Sequence, residues 1–358
     1  MKKVLVSKPG DFHRLQLVDA PRPSPGPGEV LVRVDAIGVN FADCVVRLGL
    51  YPSAKKYGGY PITPGFEFAG VIEDPGGSAS ELPLGTRVFG VIRFGAYQEY
   101  VCVPADQLYP VPDVLSQAEA GGFCVTALTA YYALHELGAL SSEKTVLVHS
   151  AAGGVGTALV QLARAAGARV IGVVGAAHKR SLVEQLGADQ VIVRSEVGEG
   201  AGLISALRAA SPQGYDIVCD ANGYKSLRQS YSLLRPTGRL VIYGAHTMLT
   251  RGSGAVHWLR LAWAALRTPT FQPLKLTNEN RSVLGFNLSY LFEEKGVLKN
   301  AMERLLEMLE RGELKVATLQ EYPLEDVVRA HQDLQSGTTT GKLVLRTSSA
   351  PEPSKSPE

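Results

Sequence analysis

Three glycines, Gly153, Gly154 and Gly156, lie in the stretch "TVLVHSAAGGVGTALVQLARAAGARVIGVVGAAHK", which runs from Thr145 to Lys179. It reads as an apolar strand, a glycine-rich turn, a helix and a second strand ending in small residues and cations. Glycines let the backbone turn sharply and approach phosphate oxygens with no Cβ in the way. A helix starting near Val155 presents unpaired N–H groups and its positive dipole end to an anion. That order of elements builds a site for the pyrophosphate of a dinucleotide at Gly153, Gly154, Val155 and Gly156. The alternative is a glycine-rich turn between a buried strand and a helix, with no ligand. The strand before the turn and the helix after it favour the binding site.

The second strand reports which dinucleotide. An NAD site usually carries Asp or Glu about 20 residues past the glycines, to hold the ribose 2′-hydroxyl. Here Gly175 and Ala176 stand at that place, and His178, Lys179 and Arg180 follow. A carboxylate repels a 2′-phosphate, whereas a small residue followed by cations accepts one. NADPH is therefore expected rather than NADH. Read without a ligand, the cations are a solvated start to the helix "KRSLVEQLGA", where they oppose the helix dipole.

The 358 residues are enough for two domains and a substantial core. Apolar residues make up 45% and charged residues 20%, ordinary for a soluble enzyme. The net charge of +2 makes no case for nucleic acid. Cys44, Cys102, Cys124 and Cys219 form no close pair, so neither a zinc ribbon nor a disulfide framework is suggested, and a reducing compartment fits. The start "MKKVLVSKPGDF" breaks at Pro9 and Gly10 before a signal-peptide core develops. No apolar run approaches about 18 residues, so no transmembrane segment is expected. The end, "TSSAPEPSKSPE", has the composition of a disordered tail.

Two grammars follow one another along the chain. Up to about residue 120, short β-rich runs such as "EVLVRVDAIGV", "FAGVIED" and "TRVFGVI" are separated by Pro and Gly clusters. After about Leu115, strand and helix alternate through "TVLVHSA", "RVIGVVG", "QVIV", "YDIVCDA" and "RLVIYGA". Continuous apolar strands in that alternation mean a parallel sheet covered by helices on both faces. A helix "VLKNAMERLLEMLERGEL" begins near Val297, and "GKLVLRT" closes as a strand expected to rejoin the first domain.

The segments "GVNFADCVVRLGLYP", "ITPGFEFAGVI", "FCVTALTAYYAL", "AAGGVG", "ENRSVLGFNLSYL" and "TTGKLVL" cover nearly the whole chain in a specific order. They resemble the medium-chain dehydrogenase/reductase superfamily, its zinc-free quinone oxidoreductase branch, and within it the vesicle amine transport protein family. The resemblance implies an α/β fold. A β-rich GroES-like catalytic domain (1–122 and 300–346) joins a doubly wound parallel-sheet (Rossmann) dinucleotide-binding domain (123–299), with a tail at 347–358. It also implies a cytoplasmic homo-oligomer, most simply a homodimer.

Zinc-dependent relatives hold a metal with a Cys, a His in a "GHE" motif and a further Cys. Against that pattern, Asn40 stands at the Cys position and Phe66 at the His position, leaving Glu67, while Cys124 lies near the third site without partners. Catalytic zinc needs about three protein ligands, so no metal is expected. Without a Lewis acid, hydride can still go to the β-carbon of an activated C=C bond. Charge then spreads onto a conjugated carbonyl oxygen that hydrogen-bond donors stabilise. Quinones, enones and enoyl thioesters, including an acyl-coenzyme A, meet that requirement.

The resemblance places the "NFAD" loop against the nicotinamide and the substrate. Asn40 there donates its amide to a carbonyl oxygen or to the ribose, or else merely stabilises a turn, and Asp43 orders the loop more readily than it transfers a proton. Tyr51 matches a tyrosine of related enoyl-thioester reductases. With an ordinary pKa of about 10 it holds its proton at neutral pH and can donate it. Tyr51, Asn40 and Asp43 are thus the candidate catalytic residues, with Tyr57 and Tyr60 as alternative pocket linings. Thr126 and Thr129 fall where relatives bring a helix start near the nicotinamide. Asn222, Gly223, Gly244 and Ala245 follow strands at their carboxyl ends, where ligands sit in such sheets. Asn287 and Lys342 match family cofactor contacts, Lys342 reaching a phosphate or the substrate carbonyl. Arg194 replaces a family Tyr and offers a guanidinium to the 2′-phosphate or to solvent.

From His246 to Thr277 there is no Asp or Glu, while Arg251, Arg260, Arg267 and Lys275 are present. This stretch suits an amphipathic lid or a dimer contact, a membrane surface or an acidic substrate, the last supported by Lys55 and Lys56. Three rival functions stay open at this level. They are a non-catalytic NADPH-binding protein, a peripheral membrane protein, and a zinc alcohol dehydrogenase.

Overall fold

The strand–helix alternation resolves as a six-stranded, wholly parallel sheet in a computed structural model that describes residues 1–76, 82–249 and 254–348. In spatial order the strands are Gln190–Val193, Arg169–Val174, Thr145–Val148, Tyr215–Asp220, Leu234–Ile242 and Ser282–Gly285. The direction of winding reverses between Thr145–Val148 and Tyr215–Asp220, the crossing point at which such sheets bind ligands. Both sheet faces are covered, so the strands run apolar throughout. Leu147, Ile171, Val173, Val218 and Leu240 share one buried cluster with Leu203 and Leu207 of the helix Ala201–Ala210. The helix Gly154–Ala165 buries Leu159, Val160, Leu162 and Ala163.

The β-rich part is a mostly antiparallel sheet ordered Leu319–Pro323, Lys342–Arg346, Glu29–Val39, Glu67–Asp74, Arg87–Val91 and Leu108–Pro110, with Tyr100–Pro104 also on Glu29–Val39. The closing strand pairs antiparallel with the end of Glu29–Val39, Leu343 opposite Val39 and Arg346 opposite Ala36. That register carries Lys342 to the start of the Asn40 loop.

The chain divides into two compact units, Met1–Val125 with Arg251–Ala255 and Leu319–Glu358, and Thr126–Thr250 with Val256–Thr318. The expected boundary at residue 300 falls inside the helix Lys295–Glu310, which lies wholly in the second unit. Its buried face (Leu298, Met302, Leu305, Leu309) and the pairing of the Gln161 side chain with the backbone of Lys315 hold the segment there up to Thr318. Thr347 and Ser348, expected in the tail, are instead bonded within the first unit. Thr347 donates from its backbone N to Asp35 O and from its hydroxyl to Val34 O, and Ser348 Oγ donates to Glu99. Residues 349–358 of that tail, and Arg251, lie outside the described residues.

The acid-poor stretch forms the helices Trp258–Arg267 and Pro273–Glu279. It turns large apolar groups outward, with Trp258 68%, Leu259 91%, Leu266 87% and Leu274 78% exposed. No helix among the described residues is long and apolar enough to cross a membrane.

Candidate active site

At the crossing point of the parallel sheet, the glycine turn is shaped by contacts within the chain. Gly153 caps the helix Gly154–Ala165 with extended backbone, φ −84° and ψ 169°. A Cβ on Gly156 would lie 2.3 Å from Ser150 O and 2.7 Å from Ala151 Cα, so only glycine lets the helix approach the strand. A Cβ on Gly153 would meet nothing nearer than Ser150 O at 3.4 Å. No contact within the chain requires glycine at that position. Ser150 itself sits at φ 54°, a left-handed conformation uncommon for a residue with a Cβ.

Across the crossing point, the turns after Tyr215–Asp220 and Leu234–Ile242 bring Asn222, Gly223, Gly244 and Ala245 together. Gly223, at φ 94°, would place a Cβ 2.9 Å from Ala245 Cα, and Thr247 N donates to Asn222 O at 2.9 Å. Ser150 Oγ donates to Asn222 Oδ1 at 3.1 Å, linking the turn to the glycine loop. Asp220 is the hub. Its Oδ1 accepts from the Asn222 N at 2.7 Å and Ser226 Oγ at 2.9 Å, and its Oδ2 accepts from Ser230 Oγ at 2.7 Å. With the Ser230 proton so used, His149 Nε2 donates to Ser230 Oγ at 3.0 Å. Burial holds the His149 imidazole neutral by lowering its pKa. Ser150, Asp220, Ser230 and His149 carried no sequence signal, because only the sheet crossing brings them together.

At the end of the strand Arg169–Val174, Gly175 is open, with nothing within 4 Å of a built Cβ. Lys179 is buried, and Arg180 is ion-paired with Glu196. Arg194 opens a short helical turn, Arg194–Val197, at the end of the neighbouring strand. Thr126 and Thr129 are buried on the helix Cys124–Tyr131. Asn287 spends its oxygen on a local cap, accepting from Ser289 N at 3.0 Å and Oγ at 2.9 Å.

In the other unit, Asn40 caps the helix Phe41–Arg47. Asp43 Oδ2 accepts from Asn40 N at 2.8 Å and its Oδ1 from Gly65 N at 2.9 Å, so this carboxyl joins two loops. Lys342 Nζ lies 2.7 Å from Glu67 Oε1 and donates to Asn40 Oδ1 at 2.6 Å and Val39 O at 3.0 Å. Asn40 Nδ2 donates to Glu67 Oε1 at 2.8 Å, and Val125 N to Glu67 Oε2 at 2.8 Å. Glu67 is wholly buried and Lys342 5% exposed. The Lys342 ammonium, expected to reach a phosphate or a substrate carbonyl, thus spends its protons on the chain itself.

Phe66 is the centre of an aromatic group, with its ring centroid 5.6 Å from Tyr51 and 5.2 Å from Phe94. Tyr51 is half-buried at the cap of the helix Pro52–Tyr57. Tyr57 carries the Arg93 guanidinium 3.7 Å from its ring centroid. The Tyr60 hydroxyl turns away to the backbone oxygen of Val46, so it serves the fold rather than a pocket. Cys124 is buried, and burial together with the Glu67 charge pushes its thiol pKa well up. Among the described residues, no group of three or more His, Cys, Asp or Glu is placed to hold a metal.

Behind the Asn40 loop lies a buried polar chain. The Tyr97 hydroxyl bonds to Asp43 and lies 3.2 Å from His331 Nε2, and His331 Nδ1 lies 3.4 Å from Cys44 Sγ. Burial drives the Asp43 carboxyl up to about 7, against the Asn40 N–H, the Lys342 charge, the Gly65 N–H and the Tyr97 hydroxyl. An unfolded Asp titrates near 3.9. Between those values the folded chain holds a proton that the unfolded chain has lost. Taken alone, Asp43 therefore makes stability fall as pH rises from about 4 to about 7, by on the order of 4 kcal/mol, and adds no further change above. His331, its pKa lowered by burial to about 3, acts with the opposite sign, because the unfolded imidazole keeps up to about 6.5 a proton that the buried ring lacks, while Cys44, raised to about 12, titrates only above the window. Urea midpoints at pH 5 and pH 8 measure the slope. Relative to the unaltered protein, Asp43→Asn should raise the pH 8 midpoint against the pH 5 midpoint, because the opposing His331 effect is left uncompensated, and an unchanged difference between the two removes Asp43 from the account.

Comparison with known proteins agrees with both units. Residues 26–113 match the alcohol dehydrogenase GroES-like domain family and 154–310 the zinc-binding dehydrogenase family. The chain is 34% identical to the human synaptic vesicle membrane protein VAT-1 homolog over 335 residues, 94% of this chain and 83% of that one. It is 33% identical to bovine prostaglandin reductase-3 over 336 residues, 91% of this chain and 83% of that one. The crystal structure of Escherichia coli quinone oxidoreductase complexed with NADPH superimposes with a TM-score of 0.82 at 29% identity, covering 97% of this chain and 100% of that one. With both families matched in order, and relatives at this identity over nearly its whole length, the chain belongs to the medium-chain dehydrogenase/reductase superfamily, in its quinone oxidoreductase branch near the VAT-1 homologues.

Proposed function

We propose that this chain is an NADPH-dependent, metal-independent reductase of α,β-unsaturated carbonyl compounds, namely quinones, enones or enoyl thioesters. The observation that carries the reading is the glycine turn at the sheet crossing point, followed one strand later by Gly175 where an NAD site has an acid. Lys179 and Arg194 at the ends of adjacent strands supply positive charge for a 2′-phosphate. The quinone oxidoreductase solved with NADPH and the prostaglandin reductase among the relatives support the same reading.

When bound, NADPH supplies a hydride. The chain must then orient the conjugated carbonyl, stabilise charge on its oxygen and deliver one proton, so that C=C becomes CH–CH in an enone or enoyl thioester and a quinone becomes a hydroquinone. Tyr51 is the proposed donor, its phenol half-buried against Phe66. The residues at the zinc position do not fit a metal. Phe66 offers no lone pair, Lys342 occupies Asn40 Oδ1 and Glu67 Oε1, and the Cys124 thiol is held protonated. A homodimer in a reducing cytoplasm belongs to this reading, and the four cysteines are free thiols.

The test is NADPH oxidation by chelator-treated protein with a quinone, a small enone and an enoyl-coenzyme A. Turnover with at least one is expected, and no turnover with any of them overturns the proposal. Tyr51→Phe should lower kcat about 100-fold while leaving the Kd for NADPH unchanged in a fluorescence titration. An unaltered kcat removes Tyr51 from the chemistry.

A further inference from the structure

We infer that Lys342 and Glu67 are positioning residues that fix the Asn40 amide with its N–H groups inward, so that Asn40 meets a ligand only as a hydrogen-bond acceptor. The inference rests on the reductase reading for the identity of the ligand, but its geometry lies within one unit. An Asn side chain can normally present either its oxygen or its nitrogen. Here it is held between a group that can only donate and a group that can only accept. Lys342 Nζ has no acceptor capacity and lies 2.6 Å from Oδ1; ionised, Glu67 has no donor and lies 2.8 Å from Nδ2. A flip would set N–H against ammonium and oxygen against carboxylate, both fully desolvated. Nδ2 also lies 3.4 Å from Gly38 O, a second, longer contact on the inner side. The amide nitrogen is thus engaged inside, and any acceptor capacity left over lies on Oδ1, on a side chain that is 8% exposed.

Two glycines make room for the arrangement. A Cβ on Gly38 would lie 2.3 Å from Glu67 Oε1, and one on Gly122 would lie 2.7 Å from Lys342 Cγ. The consequence is chemical. An acceptor binds a hydroxyl or an amide N–H, such as a ribose hydroxyl or the nicotinamide carboxamide. It does not stabilise an enolate or other oxyanion, which also only accepts. Asn40 therefore belongs with recognition of the cofactor, and the donor for the substrate oxygen must be another group, Tyr51 being the candidate.

The experiment follows the Asn40 side-chain amide by ¹⁵N NMR in the full-length protein, assigned by loss of its cross-peak in Asn40→Asp. In the free protein its protons should exchange at least about 100-fold more slowly than those of exposed Asn side chains. Addition of NADP⁺ should leave that protection and the ¹⁵N shift unchanged. Fast exchange in the free protein, or a shift with new protection on adding NADP⁺, overturns the inference. In a second arm, Lys342→Met with Glu67→Leu keeps the site neutral and removes both polar partners of the amide. NADPH Kd should rise about tenfold, a difference of about 1.4 kcal/mol, and an unchanged Kd counts against a positioning role. Should the double variant fail to fold, the exchange measurement on the unaltered protein still decides. If the unaltered protein does not bind NADPH, the reductase reading fails, while the free-state exchange tests the amide orientation independently.

Discussion

Lys342→Met should lower the folding free energy by about 3–5 kcal/mol, read as a shift of the urea midpoint at pH 7. The reason is the partner it leaves behind. Glu67 is fully buried, and the ammonium 2.7 Å from its Oε1 is its one cationic partner among the described residues. The Asn40 amide and the Val125 N–H bond to the carboxylate without neutralising it. An unpaired buried carboxylate must be ionised at high cost or protonated, and either outcome is unfavourable at neutral pH. Glu67→Gln in the same chain should recover most of the loss, because breaking one half of a buried pair is worse than removing both halves. A Lys342→Met protein that unfolds at the wild-type midpoint would show that the pair is not shielded from water.

Gly156→Ala should damage both the fold and cofactor binding. The added Cβ would lie 2.3 Å from Ser150 O and 2.7 Å from Ala151 Cα, and both contacts are backbone that cannot swing aside as a side chain can. Overpacking of this kind costs about 1–3 kcal/mol. The required shift moves the N-terminus of the helix Gly154–Ala165, whose N–H groups would hold the pyrophosphate. NADPH affinity should therefore fall at least about 100-fold, or about 2.7 kcal/mol. Gly153→Ala is the control. With nothing nearer than 3.4 Å, it should keep the wild-type melting temperature and lose affinity only through obstruction of the ligand. Melting curves and NADPH titrations on the two variants separate packing from binding. Equal effects on both variants would refute the division of labour between these glycines.

Much of the second unit was legible because its determinants are local. The run "TVLVHSAAGGVG" carries strand, turn and helix start within a dozen residues, and apolar continuity in the strands reports burial on both faces. The turns at Asn222–Gly223 and Gly244–Ala245 could be placed because carboxyl ends of parallel strands share one edge. The boundary after residue 300 was misplaced for an equally physical reason. The helix Lys295–Glu310 is amphipathic, and its pattern says that one face is buried without saying against which unit.

The amino-acid sequence by itself determined the parallel sheet, the glycine turn and the absence of an acid near Gly175, since each is written in residues close together in the chain. The tertiary structure decided what those residues face. Lys342 and Asn40 are 302 positions apart, and Asp43 and His331 join through Tyr97 from three separate segments. Whether a lysine reaches solvent, a ligand or a buried carboxylate depends on strand register. Here Leu343 opposite Val39 sets the ammonium inward and turns the Asn40 amide into an acceptor.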